Sequence, residues 1–178
     1  MTGWVLLVAA LLLSLERICY VLIVRAPAAF LALSSRLLVR IGEPVVVLRV
    51  LFYGFKALQF AVFAGWCAIF GHGTVWPPDT APPWTLLAIA LITVGQALNV
   101  SVFYRLGTVG VFYGSAFGHD VPRCVRFPFS VLDHPQYAGG LLTIWGIFLL
   151  LRFPHTDWFL LPVLETIYYV LGARLERQ

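Results

Sequence analysis

The sequence predicts an all-α membrane protein: a polytopic helical bundle of four to five transmembrane helices, forming a single domain over residues 1–178. Three observations predict it. The chain is 61% hydrophobic and only 11% charged, where a soluble domain carries about 25% charged residues, so lipid is the expected solvent. Three apolar runs are each long enough to cross a hydrocarbon core of about 30 Å at about 1.5 Å per residue. Two shorter apolar runs follow in the last third.

The first span is residues 4–24, interrupted toward its C-terminal end by Glu16 and Arg17. The leading MTGWVLLVAALLLSLER has a superficial signal-peptide character. It lacks a basic leader and a small-x-small cleavage site, and the apolar pattern resumes after Arg17, so it reads as a retained first helix. The second span, 45–70, carries Arg49 and Lys56, seven residues apart on one face. Snorkelling to the headgroups accounts for Arg49. Lys56 lies deeper, within reach of a lipid phosphate. The third span is 84–104. The runs 138–151 and 157–173 are each short for a span and are separated by RFPHT. Pro154 and Pro162 favour a break or kink there, giving a tight hairpin or a broken helix pair. Glu165, inside the last apolar run, needs a partner.

The arginines set the topology. Arg25, Arg36 and Arg40 lie in the loop 25–44, which reads as a connection. Arg105, Arg123 and Arg126 lie in the loop 105–137, and Arg174 and Arg177 in the tail. The N-terminus and the loop 71–83 have no Lys or Arg. By the positive-inside rule the N-terminus faces out, and both basic loops and the C-terminus face the cytoplasm, with Arg152 the one opposing charge. The net charge of +4 is no nucleic-acid signature, because the arginines are scattered between apolar runs. Cys19, Cys67 and Cys124 form no CxxC, so neither a disulfide framework nor a metal site is expected. His72 and His155 fall on the outer side and receive no role.

Two polar constellations sit at the cytoplasmic face. In YRLGTVGVFYGSAFGHD (104–120), Gly107, Gly110, Gly114 and Gly118 recur every three or four residues. Close helix packing and backbone approach to a ligand both fit that spacing. LGTVG lacks the lysine and the strand of a nucleotide loop. In RFPFSVLDHPQYAGG (126–140), Phe127 and Phe129 flank Pro128, and Asp133, His134, Tyr137 and Gly139 follow. Asp133 is placed like an N-cap ahead of Pro135. Ionisable groups held where an apolar helix begins are also functional candidates. A purely structural scaffold or a small transporter is the non-enzymatic alternative.

Those two motifs, with the C-terminal Arg/Glu cluster, resemble the membrane-embedded phosphatidylethanolamine N-methyltransferases. These belong to a wider group that includes the isoprenylcysteine carboxyl methyltransferases. The resemblance covers about the last 90 residues. Phe127-Pro128-Phe129 and Asp133 resemble the phospholipid branch, and His134-Pro135-Gln136-Tyr137 the wider group. The group's Gly-x-Gly corresponds to Thr93-Val94-Gly95, and its Glu-Glu pair to Leu175-Glu176.

The resemblance implies methyl transfer from S-adenosylmethionine to the amine headgroup of a membrane phospholipid, with no metal. The cofactor and catalytic part is then about 90–178. Prenylcysteine carboxylate or a small thiol or amphiphile is the alternative acceptor. Gly95, Gly107, Gly110, Gly118, Phe127, Phe129, His134, Tyr137, Gly139 and Glu176 are the implied cofactor contacts. Lys56 and Tyr113 are the implied substrate contacts. His134, Asp133 and Glu176 are the implied catalytic groups, with His119 and Asp120 as further candidate bases. An ammonium headgroup with a lysine-like pKa needs such a base near neutral pH.

Overall fold

Proline opens most of the helices. A proline at the first helical position has no N–H to leave unsatisfied and a φ already suited to the helix. Pro27, Pro44, Pro82 and Pro135 occupy that position in four of the six α-helices of the computed structural model. It describes residues 2–37, 40–73, 77–78, 81–121 and 123–176. The helices are α1 (Thr2–Arg25), α2 (Pro27–Leu37), α3 (Pro44–Phe70), α4 (Pro82–Val111), α5 (Pro135–Leu151) and α6 (Leu160–Glu176), with a short 3-10 turn at Gly114–Phe117.

Helices α1, α3 and α4 are long and apolar enough to cross a membrane. The three long spans therefore sit where the apolar runs predict. Three boundaries differ. The loop expected at 25–44 holds helix α2, whose Phe30 is buried in the core. The third span continues beyond 104 to Val111, through a break at Gly107 with φ 62° and ψ 179°. That positive φ lies where glycine alone is at ease, so the chain kinks there between two helical stretches. Asp133 is not the N-cap of α5. His134 holds that position, without a capping hydrogen bond from its own side chain.

The closing pair is a hairpin of two 17-residue helices. Pro154 falls in the turn, and Pro162 is tolerated because it lies in the first turn of α6. A charged latch holds the turn. Arg152 donates from Nη2 and Nε to the two carboxylate oxygens of Asp157, at 2.6 and 2.9 Å. Trp66 on α3 donates to Asp157 at 2.8 Å, and Arg152 also donates to the Phe70 carbonyl at 3.1 Å. The arginine that opposes the charge rule is thus buried and neutralised.

α5 runs antiparallel to α4 at very close range. Gly95 faces Gly139 and Thr143, Gly146 faces Ala88, and Trp84 meets Phe153 at the far end. A Cβ on Gly95 would stand 2.6 Å from the Gly139 carbonyl oxygen, and one on Gly146 would stand 2.8 Å from that of Ala88. The two backbones touch because these residues have no side chain. α1 and α3 complete the bundle, and α6 closes on α1 through a hydrogen bond from the Tyr168 hydroxyl to the Ala10 carbonyl. One apolar cluster gathers Tyr20, Val47, Leu48, Val102 and Phe112, and a second gathers Leu13, Phe63, Trp66, Phe148 and Leu161.

Candidate functional site

Residues from both clusters border one cavity of about 500 Å³, a size that suits a small molecule or part of a lipid. Each wall follows from a helix face. α1 contributes Glu16, Arg17 and Tyr20, one turn of an otherwise apolar helix. α3 contributes Phe52, Lys56 and Gln59 at helical spacing. α4 supplies Gln96, Asn99 and Phe103, again three and four apart. The start of α5 supplies Tyr137, Gly140 and Thr143, and α6 adds Tyr169. After the break at Gly107, Phe112 and Tyr113 also line the cavity.

A polar network ties α1, α3 and α6 together at this level. Lys56 pairs with Glu16 at 3.0 Å and donates to Gln59 Oε1 at 3.0 Å. Gln59 in turn donates to Glu165 on α6. The Lys56 ammonium also lies 3.5 Å from the Tyr169 hydroxyl. Glu165 is 1% exposed, and Gln59 is the partner that the sequence demanded for it. Arg17 stacks on Tyr169, 3.6 Å from the ring centroid, and lies 5.5 Å from that of Tyr137. These charges sit in low dielectric, where an unmatched one is costly. Yet Arg17 Nε and Nη2, the Tyr20 hydroxyl and Asn99 Oδ1 are buried without a hydrogen-bond partner among the described residues.

The residues singled out from the sequence separate into groups. Lys56, Tyr113 and Tyr137 line the cavity. Lys56 does so with its ammonium already engaged by Glu16 and Gln59. His134 stands just behind the wall, its ring near-parallel to that of Tyr137 at 5.5 Å. Gly139 holds the helix contact and gives room to Asn99, whose Oδ1 would lie 2.7 Å from a Cβ there. Gly95 lies in the same contact. Gly110 packs on Leu106 and Val121.

Gly107 and Gly118 are exposed, both with positive φ. Phe129 packs on the first apolar cluster, while Phe127 is exposed and accepts a hydrogen bond from Arg105 Nε at 3.1 Å through its carbonyl. Asp133, His119 and Asp120 are exposed. Glu176 ends α6, and its side chain lies outside the described residues.

The sequence reading passed over Tyr20, Gln59, Gln96, Asn99 and Tyr169, and it treated Glu16 and Arg17 only as an interruption. Their signal was available: amides and charges inside runs otherwise made of Leu, Val, Ala and Phe.

The sequence model of the phospholipid methyltransferase family matches residues 84–178, more than half of the chain. The chain belongs to that family. Curated relatives agree. A phosphatidyl-N-methylethanolamine N-methyltransferase of Arabidopsis thaliana is 39% identical over 69 residues, covering 39% of this chain and 38% of the relative. The Saccharomyces cerevisiae protein of the same name is 41% identical over 69 residues, 38% of this chain and 34% of its own. A phosphatidylethanolamine N-methyltransferase of Rattus norvegicus is 38% identical over 91 residues, 51% and 45% of the two chains. The chain thus spans less than half the length of each of these three relatives. No solved structure matches.

The phospholipid methyltransferase match takes in α5, α6 and all but the first two residues of α4, and stops short of α1–α3. One wall of the cavity is therefore family sequence. Glu16, Arg17, Lys56 and Gln59, which also line the cavity, are not part of the match.

Proposed function

We propose that this protein transfers a methyl group from S-adenosylmethionine to the amine headgroup of phosphatidylethanolamine or its partly methylated forms. The observation that carries the reading is the cavity itself: an aromatic-walled chamber inside apolar helices, most of its lining drawn from the family's own segment. Lipid reaches such a site from the bilayer.

The residues present fit the donor. S-adenosylmethionine, when bound, supplies a methyl group on a positively charged sulfur. Tyr20, Phe52, Phe103 and Tyr137 offer aromatic rings, and aromatic faces attract sulfonium and ammonium cations. Asn99 Oδ1, a buried acceptor without a partner among the described residues, suits an amine or ammonium N–H. Gly140 keeps the wall thin, since a Cβ there would lie 2.9 Å from the Tyr169 hydroxyl oxygen.

The acceptor nitrogen must lose a proton before it attacks, since it is an ammonium near neutral pH. In this reading His134, whose ring stacks on that of the cavity-lining Tyr137, is the base and takes the proton through one bridging water. Lys56 and Glu16 neutralise each other beside the reacting amine. The apolar remainder of the lining excludes water, which strengthens each of these interactions.

The same reading puts the active face and the C-terminus in the cytoplasm and the N-terminus outside. Arg25, Arg105, Arg126 and Arg174 all belong to the end of the bundle where α1, α4 and α6 finish and α5 begins, which supports that orientation.

The test is to supply membranes containing the chain with methyl-labelled S-adenosylmethionine and to resolve the lipids by thin-layer chromatography. Label in mono-, di- or trimethylated phosphatidylethanolamine is expected. Label in protein alone, or in nothing, overturns the reading.

A further inference from the structure

Arg17 is a buried cation with an unused edge. About a tenth of its side chain is exposed, and it lines the cavity from α1. Its guanidinium lies over the Tyr169 ring. A stacked guanidinium presents its N–H bonds outward in its own plane, as a fork. Nε and Nη2 have no hydrogen-bond partner among the described residues. The nearby Glu16 Oε1 stands 3.9 Å from Nη2 and is held by Lys56 at 3.0 Å.

The same chain displays the satisfied form of this edge. Arg152 uses Nε and Nη2 to grip both carboxylate oxygens of Asp157. Two-point pairing of this kind is specific for planar carboxylates and for phosphates. Lys56 does not fill the same need, because its ammonium is engaged by Glu16 and Gln59.

We propose that the Nε–Nη2 edge of Arg17 binds an oxyanion of a ligand in the cavity. The inference rests on the methyl-transfer reading for the ligand's identity, and two sources carry the required group. One is the phosphodiester next to the lipid amine. The other is the carboxylate of the methyl donor. Arg17 lies outside the segment that matches the family.

The experiment uses the purified full-length chain in detergent, with Arg17→Gln and Arg17→Lys beside the wild type. Two probes are titrated without turnover: a fluorescent-tailed phosphatidylethanolamine, and S-adenosylhomocysteine, which keeps the donor's carboxylate. A diacylglycerol with the same fluorescent tail gives the phosphate-free baseline. Arg17→Gln is expected to weaken one probe by about tenfold or more, the size of a charge-assisted two-point contact, and to leave the other within about twofold.

Loss confined to the phospholipid assigns the phosphodiester, and loss confined to S-adenosylhomocysteine assigns the carboxylate. Arg17→Lys keeps the charge over Tyr169 without the fork, so it is expected to show a smaller loss for the same probe. It also provides the readout should the glutamine variant not fold. Unchanged affinity for both probes in a folded variant overturns the proposal, as does a wild type that binds neither. An equal loss of both probes and of the phosphate-free lipid marks a structural role and overturns it too. If the wild type binds a probe through Arg17 yet transfers no methyl to lipid, the functional reading fails and the oxyanion site stands.

Discussion

Glu16 on α1 and Lys56 on α3 meet at 3.0 Å in the middle of two helices that are otherwise apolar. With Gln59 and Glu165 they form the polar layer from which α6 hangs. Removing one member of a buried ion pair leaves the other uncompensated. Lys56→Met is therefore expected to lower stability by about 3 kcal/mol. The double variant Glu16→Gln/Lys56→Met should recover much of that. Thermal unfolding in detergent compares the three proteins, and equal midpoints for wild type and Lys56→Met would show that the pair holds nothing.

Gly95 and Gly139 hold α4 and α5 at backbone contact. Gly95→Val forces atoms into the space of the Gly139 carbonyl oxygen. Overpacking of this kind costs about 2 kcal/mol or more, and methyl transfer should fall with it because Asn99 and Tyr137 lie on the two displaced helices. The exposed Gly3, with nothing within 4 Å of a Cβ, is the matched control: Gly3→Ala should change neither the unfolding midpoint nor turnover.

The latch at Asp157 responds to acid. Burial pushes its carboxyl up. Hydrogen bonds from Arg152 and Trp66 and the Arg152 charge more than offset that, so it is held below the ordinary carboxylate value. A lowered folded pKa contributes stability that is fully present above the unfolded value of about 3.9 and is lost as the pH falls through the folded value. Unfolding midpoints measured from pH 6 down to below pH 3, values chosen around that roughly 3.9 threshold, should fall more steeply for the wild type than for Asp157→Asn. Parallel curves would refute the linkage.

His134→Ala is expected to reduce lipid methylation by about a hundredfold, the usual range for loss of a general base, with affinity for S-adenosylhomocysteine intact. Tyr137→Phe keeps the ring beside His134 and Arg17, and its loss should be only several-fold. A purified double variant that turns over like the wild type while still binding the donor would remove both residues from the mechanism.

The three long helices were legible because their signal is local: a run of apolar residues reports its own solvent. Helix α2 was not, since Ser34, Ser35 and Arg36 interrupt its apolar face and make it read as a basic connection. The site was legible in halves. RFPFSVLDHPQYAGG announces itself by composition, and Tyr137 from it does reach the cavity. The network of Glu16, Lys56, Gln59 and Glu165 depends on three helices meeting at one level, a fact of tertiary packing that no spacing within one helix encodes. The glycine series had two physical readings. Close packing describes Gly110, whereas the break at Gly107 shows a third use, a kink in the chain ahead of the cavity-lining Phe112 and Tyr113.

Tyr169 beneath Arg17, and Glu165 beside Gln59, both come from α6, the last of the described helices. Until α6 inserts, the polar faces of α1 and α3 have no lid, and the chamber between them has no floor. A nascent chain paused before residue 160 thus holds every other wall and no enclosed site. A truncation before residue 160 is therefore expected to remove the site as a whole rather than to weaken a single contact in it.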